Sequence, residues 1–371
     1  MEGPMKILIH GMTGNLGGME SCIINYYRNI NSNKVRFDFL CVNERPVYYQ
    51  EIIAKGSNVY IIPGRRKYFS HCKQLMSIFK EGNYDGLWSN RCDLSGTVLF
   101  FKIASMYSVP LRILHAHNSG NMLSFMNRFA HEIDKHRIKK YVTDFWSCSK
   151  KASHFFYSAD IICSLKHKII HNAIDVDKFQ FNSTERFNIR KKMGLEDKII
   201  IGHVGRFHFQ KNHGFLLNVF YEIYKKKSNA VLLLIGDGEL RLQIENSVKA
   251  LGLINSVYFL GTRSDIPALL NAIDIFILPS KFEGLPVSLI EAQAMSLPCF
   301  TSTNVSSESA ITESLYFVGL DKSPREWAEF MLEKNNVRKN MAKKIKDGGY
   351  DIKTEATRLE EFLLNKGADV D

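Results

Sequence analysis

Short apolar runs recur along the chain, and stretches with helical spacing fill the gaps between them. In the first half the runs are residues 6–10, 36–41, 58–62, 85–89, 111–116, 144–148 and 167–171, with residues 19–30 and 71–80 as clear intervening helices. Brief buried strands alternating with helices predict right-handed βαβ units and a parallel sheet. The pattern pauses at a polar stretch, residues 182–197, and restarts at 198–203. Further runs lie at 230–235, 256–260, 274–278, 298–302 and 315–318. The predicted class is α/β, with two doubly wound parallel-sheet domains over residues 1–180 and 181–351 and a linker near 177–185. Their strand carboxyl ends are expected to converge on one central cleft.

A chain of 371 residues, 45% hydrophobic and 23% charged, has room for two globular cores. The longest apolar candidate, residues 96–114, is broken by Lys102, Pro110 and Arg112, so no transmembrane span is expected. Met1 to Pro4 read as an extension ahead of a natural start at Met5, and no signal peptide is expected. Seven cysteines without a CxxC pair fit reduced, buried thiols better than disulfides or a zinc site. The net charge of +11 is uneven. Residues 1–180 hold 24 Lys+Arg against 14 Asp+Glu, and residues 181–371 hold 25 against 24. The basic half is suited to an anionic partner, or else presents a solvated surface.

Gly11, Gly14, Gly17 and Gly18 follow the first strand and open a helix. Such a turn allows close approach of a ligand, and the helix start offers free amides to an anion. The spacing also resembles a short-chain dehydrogenase fingerprint, with Glu44 as its acidic residue, but the Tyr-x-x-x-Lys pair weighed against it, Tyr221 and Lys225, falls in the second repeat. Glu20 either orients a hydroxyl or caps the helix. In the second half Gly205-Arg206 and Lys211-Asn212 follow a strand end, where a guanidinium and an ammonium suit a diphosphate, unless they are merely a solvated basic loop. Glu283-Gly284-Leu285-Pro286 runs on to Glu291-Ala292. Pro286 predicts a helix beginning near Gly284, with Glu283 at its start and Glu291 about two turns along. Glu283 could equally be a simple cap and Glu291 a surface charge.

Taken as an ordered set, these motifs resemble the retaining GT-B glycosyltransferases of the large family four. Gly-Asp-Gly-Glu-Leu at 236–240, Gly17-Gly18-Met19-Glu20, His115-Ala116-His117-Asn118 and His171-Asn172-Ala173-Ile174-Asp175 belong to the same likeness, with Ala173 where the family usually has Gly. The closest flavour is that of bacterial enzymes building capsule, exopolysaccharide or teichoic-type glycans. The resemblance implies two Rossmann-like domains, an N-terminal acceptor domain and a C-terminal nucleotide-sugar domain, with a last helix, residues 352–366, crossing back to the first. It implies that Arg206 and Lys211 bind the donor diphosphate. Glu283, with the amides of Gly284 and Leu285, would contact the transferred sugar, and Glu291 the ribose. Gly17 and Gly18 would approach the phosphates or acceptor. His117 would face the reaction centre, with Glu20 and Asn118 on the acceptor and Thr262 and Arg263 near the base. A metal held by His115 and His117 lacks further ligands in the sequence, and no cofactor is expected.

The implied activity is metal-independent, retaining transfer of a hexosyl or N-acetylhexosaminyl group from a nucleoside diphosphate, with UDP the expected carrier. The acceptor is a glycan or lipid-linked glycan. Arg65-Arg66-Lys67-Tyr68-Phe69 and a basic amphipathic stretch at 121–141 suggest peripheral contact with an anionic membrane. The alternative for that stretch is a helix packed on its own sheet. The expected location is the cytoplasm or the inner face of the plasma membrane, with no nucleic acid as partner. Three alternatives compete: a nucleotide-sugar epimerase, a nicotinamide-dependent dehydrogenase, and an inactive sugar-nucleotide-binding subunit.

Overall fold

The computed structural model describes residues 3–15, 17–118, 125–334 and 338–368. Among these, seven strands form the first sheet: β1 (Met5–His10), β2 (Val35–Val42), β3 (Val59–Ile62), β4 (Gly86–Arg91), β5 (Leu111–Ala116), β6 (Asp144–Ser147) and β7 (His167–Ile169). Six form the second: β8 (Ile199–Val204), β9 (Ala230–Ile235), β10 (Val257–Gly261), β11 (Ile275–Leu278), β12 (Cys299–Ser302) and β13 (Leu315–Val318). The orders are β3-β2-β1-β4-β5-β6-β7 and β10-β9-β8-β11-β12-β13, and neighbours pair in parallel. Strand order reverses between β1 and β4 and again between β8 and β11. In open α/β sheets, ligand crevices form at the carboxyl ends of strands beside such a reversal.

The chain divides into two compact units. One comprises Met1–Ala173 with Ile352–Asp371, the other Ile174–Asp351. Residues 177–185 lie inside the second unit rather than forming a linker. Ile174, Val176 and Phe179 are buried in its core, and the polar stretch that follows holds a helix, Ser183–Met193. Asn182 caps that helix by accepting the Glu185 N–H at 3.0 Å, and Gly194 ends it at φ 67°. It buries no side chain, so no apolar period marked it.

The last helix, Ile352–Ala368, completes the first unit. Ile352, Ala356, Leu359 and Leu363 recur at helical spacing and join the core shared by Ile7, Ile9 and Trp88. On its polar side Glu360 accepts the Asn31 N–H at 3.0 Å and pairs with Lys34 at 2.8 Å. The turn before Ile174 is not loosened by Ala173. That residue is absent from the positive-φ set, its side chain is buried, and its carbonyl accepts from Asn25 at 3.0 Å.

Part of the expected amphipathic helix, residues 121–124, lies outside the described residues. The helix runs over Phe125–Arg137 and continues as a tight turn, Ile138–Lys140. Its inward side carries His131, Asp134 and Ile138, and its outward side exposes Phe129 and Ile133 beside Arg128 and Arg137. Among the described residues no helix is long and apolar enough to cross a membrane.

Candidate functional site

The loops that follow β8 and β11 flank the strand reversal of the second unit. After β8 the chain makes a tight turn, Phe209–Lys211, and Asn212 adopts a left-handed conformation (φ 58°) before the helix His213–Lys226. After β11, Leu285 precedes Pro286, which favours extended backbone, and Glu283 forms a parallel bridge with Val305. The loops are stitched together: the Lys281 N–H donates to the Gln210 carbonyl at 2.8 Å, and Gln210 Nε2 to the Phe282 carbonyl at 2.9 Å. This stitching brings Lys211 Nζ to 2.6 Å from Glu283 Oε1, with side chains only 16% and 11% exposed. Ser280 Oγ donates to the same oxygen at 3.2 Å.

Arg206 points to Glu239, 3.1 Å away, and not to Glu283. His208 bridges the two pairs. Its Nε2 lies 3.5 Å from Glu239, and Lys211 and Glu283 also act on its ring, which burial above all holds below its usual range. Arg206, His208, Lys211, Glu239 and Glu283 therefore form one charged cluster. Glycine makes the packing possible. A Cβ on Gly236 (φ 133°) would lie 2.1 Å from the Gly205 carbonyl oxygen, and one on Gly238 2.6 Å from that of Phe207. The Gly236 N–H donates to the Gly261 carbonyl at 2.8 Å.

Neighbouring positions differ in part from expectation. The helix after Pro286 begins at Val287, three residues later than predicted. Pro286 occupies the cap with ψ 119°, so Gly284 and Leu285 are buried loop residues. Glu291 thus sits about one turn into this helix, not two turns from a cap at Glu283. It is partly buried, and burial alone pushes its carboxyl up to about 7. Among the described residues its carboxylate has no hydrogen-bond or ion-pair partner, while its carbonyl accepts the Met295 N–H at 3.2 Å. Thr262 and Arg263 follow β10 on the surface, and the Arg263 fork is engaged by Asp265 at 2.7 and 2.6 Å.

In the first unit, Gly17 caps the helix Gly18–Asn29, and Glu20 in its first turn is buried and accepts from Thr13 Oγ1 at 2.8 Å. A Cβ on Gly17 would lie 2.7 Å from Glu20 Oε2, whereas Gly18 faces open space. Glu44, the candidate ribose-binding acid of the dehydrogenase reading, instead accepts the Gly14 N–H at 3.0 Å and braces the glycine turn. The Lys225 ammonium pairs with Glu222 and sits over the Tyr221 ring, so that pair shapes a helix surface. His115 is fully buried in β5 and stacks near Trp88. His117 lies just beyond the strand, 4.0 Å from the His115 ring, with Asn118 also buried. Its Nε2 is 2.8 Å from Asn90 Oδ1, an acceptor, so Nε2 carries the proton and Nδ1 keeps a lone pair. Burial pushes its pKa down to about 3, which leaves the ring neutral. Among the described residues no group of three or more His, Cys, Asp or Glu is placed to hold a metal ion.

The family profile described as "Glycosyl transferases group 1" matches residues 185–347, the part of the chain that builds this cluster. A Bacillus subtilis protein named "Putative glycosyltransferase EpsF" is 31% identical over 313 residues, covering 82% of this chain and 81% of its own. The chain belongs to the group 1 glycosyl transferases. An Escherichia coli enzyme named UDP-Gal:alpha-D-GlcNAc-diphosphoundecaprenol alpha-1,3-galactosyltransferase is 29% identical over 178 residues, 47% of this chain and 43% of that one. Among solved structures, Anabaena Alr3699/HepE in complex with UDP and glucose matches with a TM-score of 0.72, 17% identity, and coverage of 99% of this chain and 98% of that one. The fold of this glycosyltransferase is accordingly GT-B, with two Rossmann-like parallel-sheet units.

His208, Glu239 and Ser280 were not singled out from the sequence. Glu239 stood inside a recognised motif. His208 lies between Arg206 and Lys211, and that position was the available signal.

Proposed function

We propose that this glycosyltransferase moves a sugar, with retention of configuration, from a nucleoside diphosphate, UDP being the expected carrier, to a lipid-linked glycan in bacterial surface polysaccharide synthesis. The observation that carries the reading is the Lys211–Glu283 pair at the reversal between β8 and β11. An ammonium fixed by a neighbouring carboxylate, with the Arg206 guanidinium close in sequence, suits the charge that grows on a departing diphosphate. These cations would do the work a divalent metal does elsewhere. Glu283, backed by the Gly284 and Leu285 amides, would hold hydroxyls of the transferred sugar. Glu291 would accept from the ribose hydroxyls, which gives its unpartnered carboxylate two donors. Thr262 and Arg263 remain the proposed neighbours of the base, Arg263 after release from Asp265.

In the first unit, Gly17, Gly18, Glu20 and Asn118 would meet the acceptor or phosphates, and the neutral His117 would accept a sugar hydroxyl at Nδ1. Retention follows a front-face route in this proposal. The bond from the anomeric carbon to the phosphate oxygen breaks. The acceptor oxygen bonds to that carbon on the same face, and its proton passes to the leaving phosphate oxygen. The Escherichia coli relative, whose name specifies a sugar linked to diphosphoundecaprenol, and the basic first half both favour a lipid-linked acceptor.

Glu283→Gln tests the site. It keeps the shape but discharges the partner of Lys211, so transfer should fall by roughly a hundredfold to a thousandfold. Stability should drop by only about 2 kcal/mol. Undiminished sugar transfer by a folded Glu283→Gln protein would refute the assignment.

A further inference from the structure

An open groove in the first unit plays no part in the donor cluster. It has a volume of about 670 Å³ and lies beyond the carboxyl ends of β2 and β3, with Asn43, Arg65, Arg66, Lys67 and Gln74 on its walls. Its floor is ordered. Asn43, left-handed at φ 68°, accepts the Gly64 N–H at 2.5 Å, and the Lys67 N–H donates to the Gly64 carbonyl at 2.9 Å. Arg65 packs on the loop after β4, where Gly96 is left-handed. A Cβ there would lie 1.2 Å from Arg65 Nη1, so the missing side chain makes room for the guanidinium. The same loop is held from beneath by Arg91, whose guanidinium donates to the Asp93 and Ser95 carbonyls, and from the side by Asp134, which accepts the Gly96 N–H at 2.9 Å.

Among the described residues no carboxylate pairs with Arg65, Arg66 or Lys67. The helix that begins at Tyr68 has no acidic residue in its first turn. Three consecutive cations at the mouth of a concave, braced groove call for a ligand with concentrated negative charge, and arginine forks fit phosphate oxygens two at a time. Two aromatic rings follow at once. Phe69 is 88% exposed and Tyr68 53%, and they meet edge to face with centroids 5.9 Å apart. An exposed aromatic pair beside cations is the composition that settles at a membrane–water boundary.

We propose that this groove seats the diphosphate of an isoprenoid-linked acceptor, with Tyr68 and Phe69 resting in the lipid surface around it. The inference rests on the lipid-linked reading above and adds the residues that would hold the headgroup. Arg66 and Lys67 grip the phosphates, and Arg65, fixed over Gly96, sets the depth at which they stop.

The test is vesicle binding by the full chain. Three phosphatidylcholine preparations are compared: one plain, one carrying a small fraction of undecaprenyl diphosphate, and one carrying phosphatidylglycerol at matched surface charge. The wild-type protein is expected to bind the diphosphate vesicles most tightly. Arg66→Gln with Lys67→Gln, two exposed positions whose side chains have no ion-pair partner among the described residues, should weaken that binding roughly thirtyfold. Phe69→Ser should weaken it as well, while a soluble short-chain isoprenyl diphosphate still competes. Equal binding to the two anionic preparations, or unchanged binding by the double variant, would overturn the proposal. The rise in melting temperature that UDP gives the wild-type protein is a separate reading. Its absence would remove the donor assignment, whereas its presence alongside indifferent lipid binding would remove only this one.

Discussion

The fold partly desolvates the Glu291 carboxyl, which meets no cation or donor among the described residues. Its pKa of about 7 in the folded chain stands above the roughly 4.3 of an unfolded glutamate, so the folded state binds the proton more tightly. Stability on this account is greatest below about pH 4 and declines as the pH rises through about 7, above which the full penalty is reached. That penalty is at most about 4 kcal/mol, and less in proportion to the water the partly exposed group keeps. Glu291→Gln should therefore be more stable than the parent at pH 8 and equal to it near pH 4, as denaturant unfolding at the two pH values would register. A variant that is no more stable at pH 8 contradicts the burial argument. The residues of this site were legible in the sequence to unequal degrees. Lys211 and Glu283 could be named from spacing and motif, but their contact could not, because it depends on Gln210 stitching two loops some seventy residues apart. Arg206 was legible as a cation at a strand end, whereas its partner Glu239 comes from the loop after a different strand.

At the scale of elements, strands were the easiest to read because each is a buried run with few polar interruptions. The runs at 111–116, 230–235 and 315–318 coincide with β5, β9 and β13. Elements governed by something other than apolar spacing were harder. The helix Ser183–Met193 has only its caps to announce it, and the helix after Pro286 starts late because Pro286 is itself extended and Glu283 bridges to Val305. The final helix is the opposite case, since its period of buried residues is plain. Leu363 is fully buried in the first unit, so Leu363→Ala should cost about 3 kcal/mol. In thermal unfolding the loss should appear in the transition of the first unit. A variant that melts like the parent would mean that this helix does not contribute to that core.

For the whole molecule, the reading makes nucleotide binding independent of divalent metal. UDP at about a hundred times its dissociation constant should stabilise the chain by about 2.7 kcal/mol. The accompanying rise in melting temperature should survive an excess of EDTA. A rise that disappears with the chelator and returns with magnesium would contradict the role given to Arg206 and Lys211. The path of the chain has its own consequence for biosynthesis. Ile352, Ala356, Leu359 and Leu363 cover the core of a unit whose other residues end at Ala173, so everything from Ile174 to Asp351 must be translated before that surface is closed. At ordinary elongation rates this interval is roughly ten to forty seconds. During it the nascent first unit presents an uncovered apolar face on the ribosome, a period in which chaperone capture and premature self-association compete with the arrival of its own last helix.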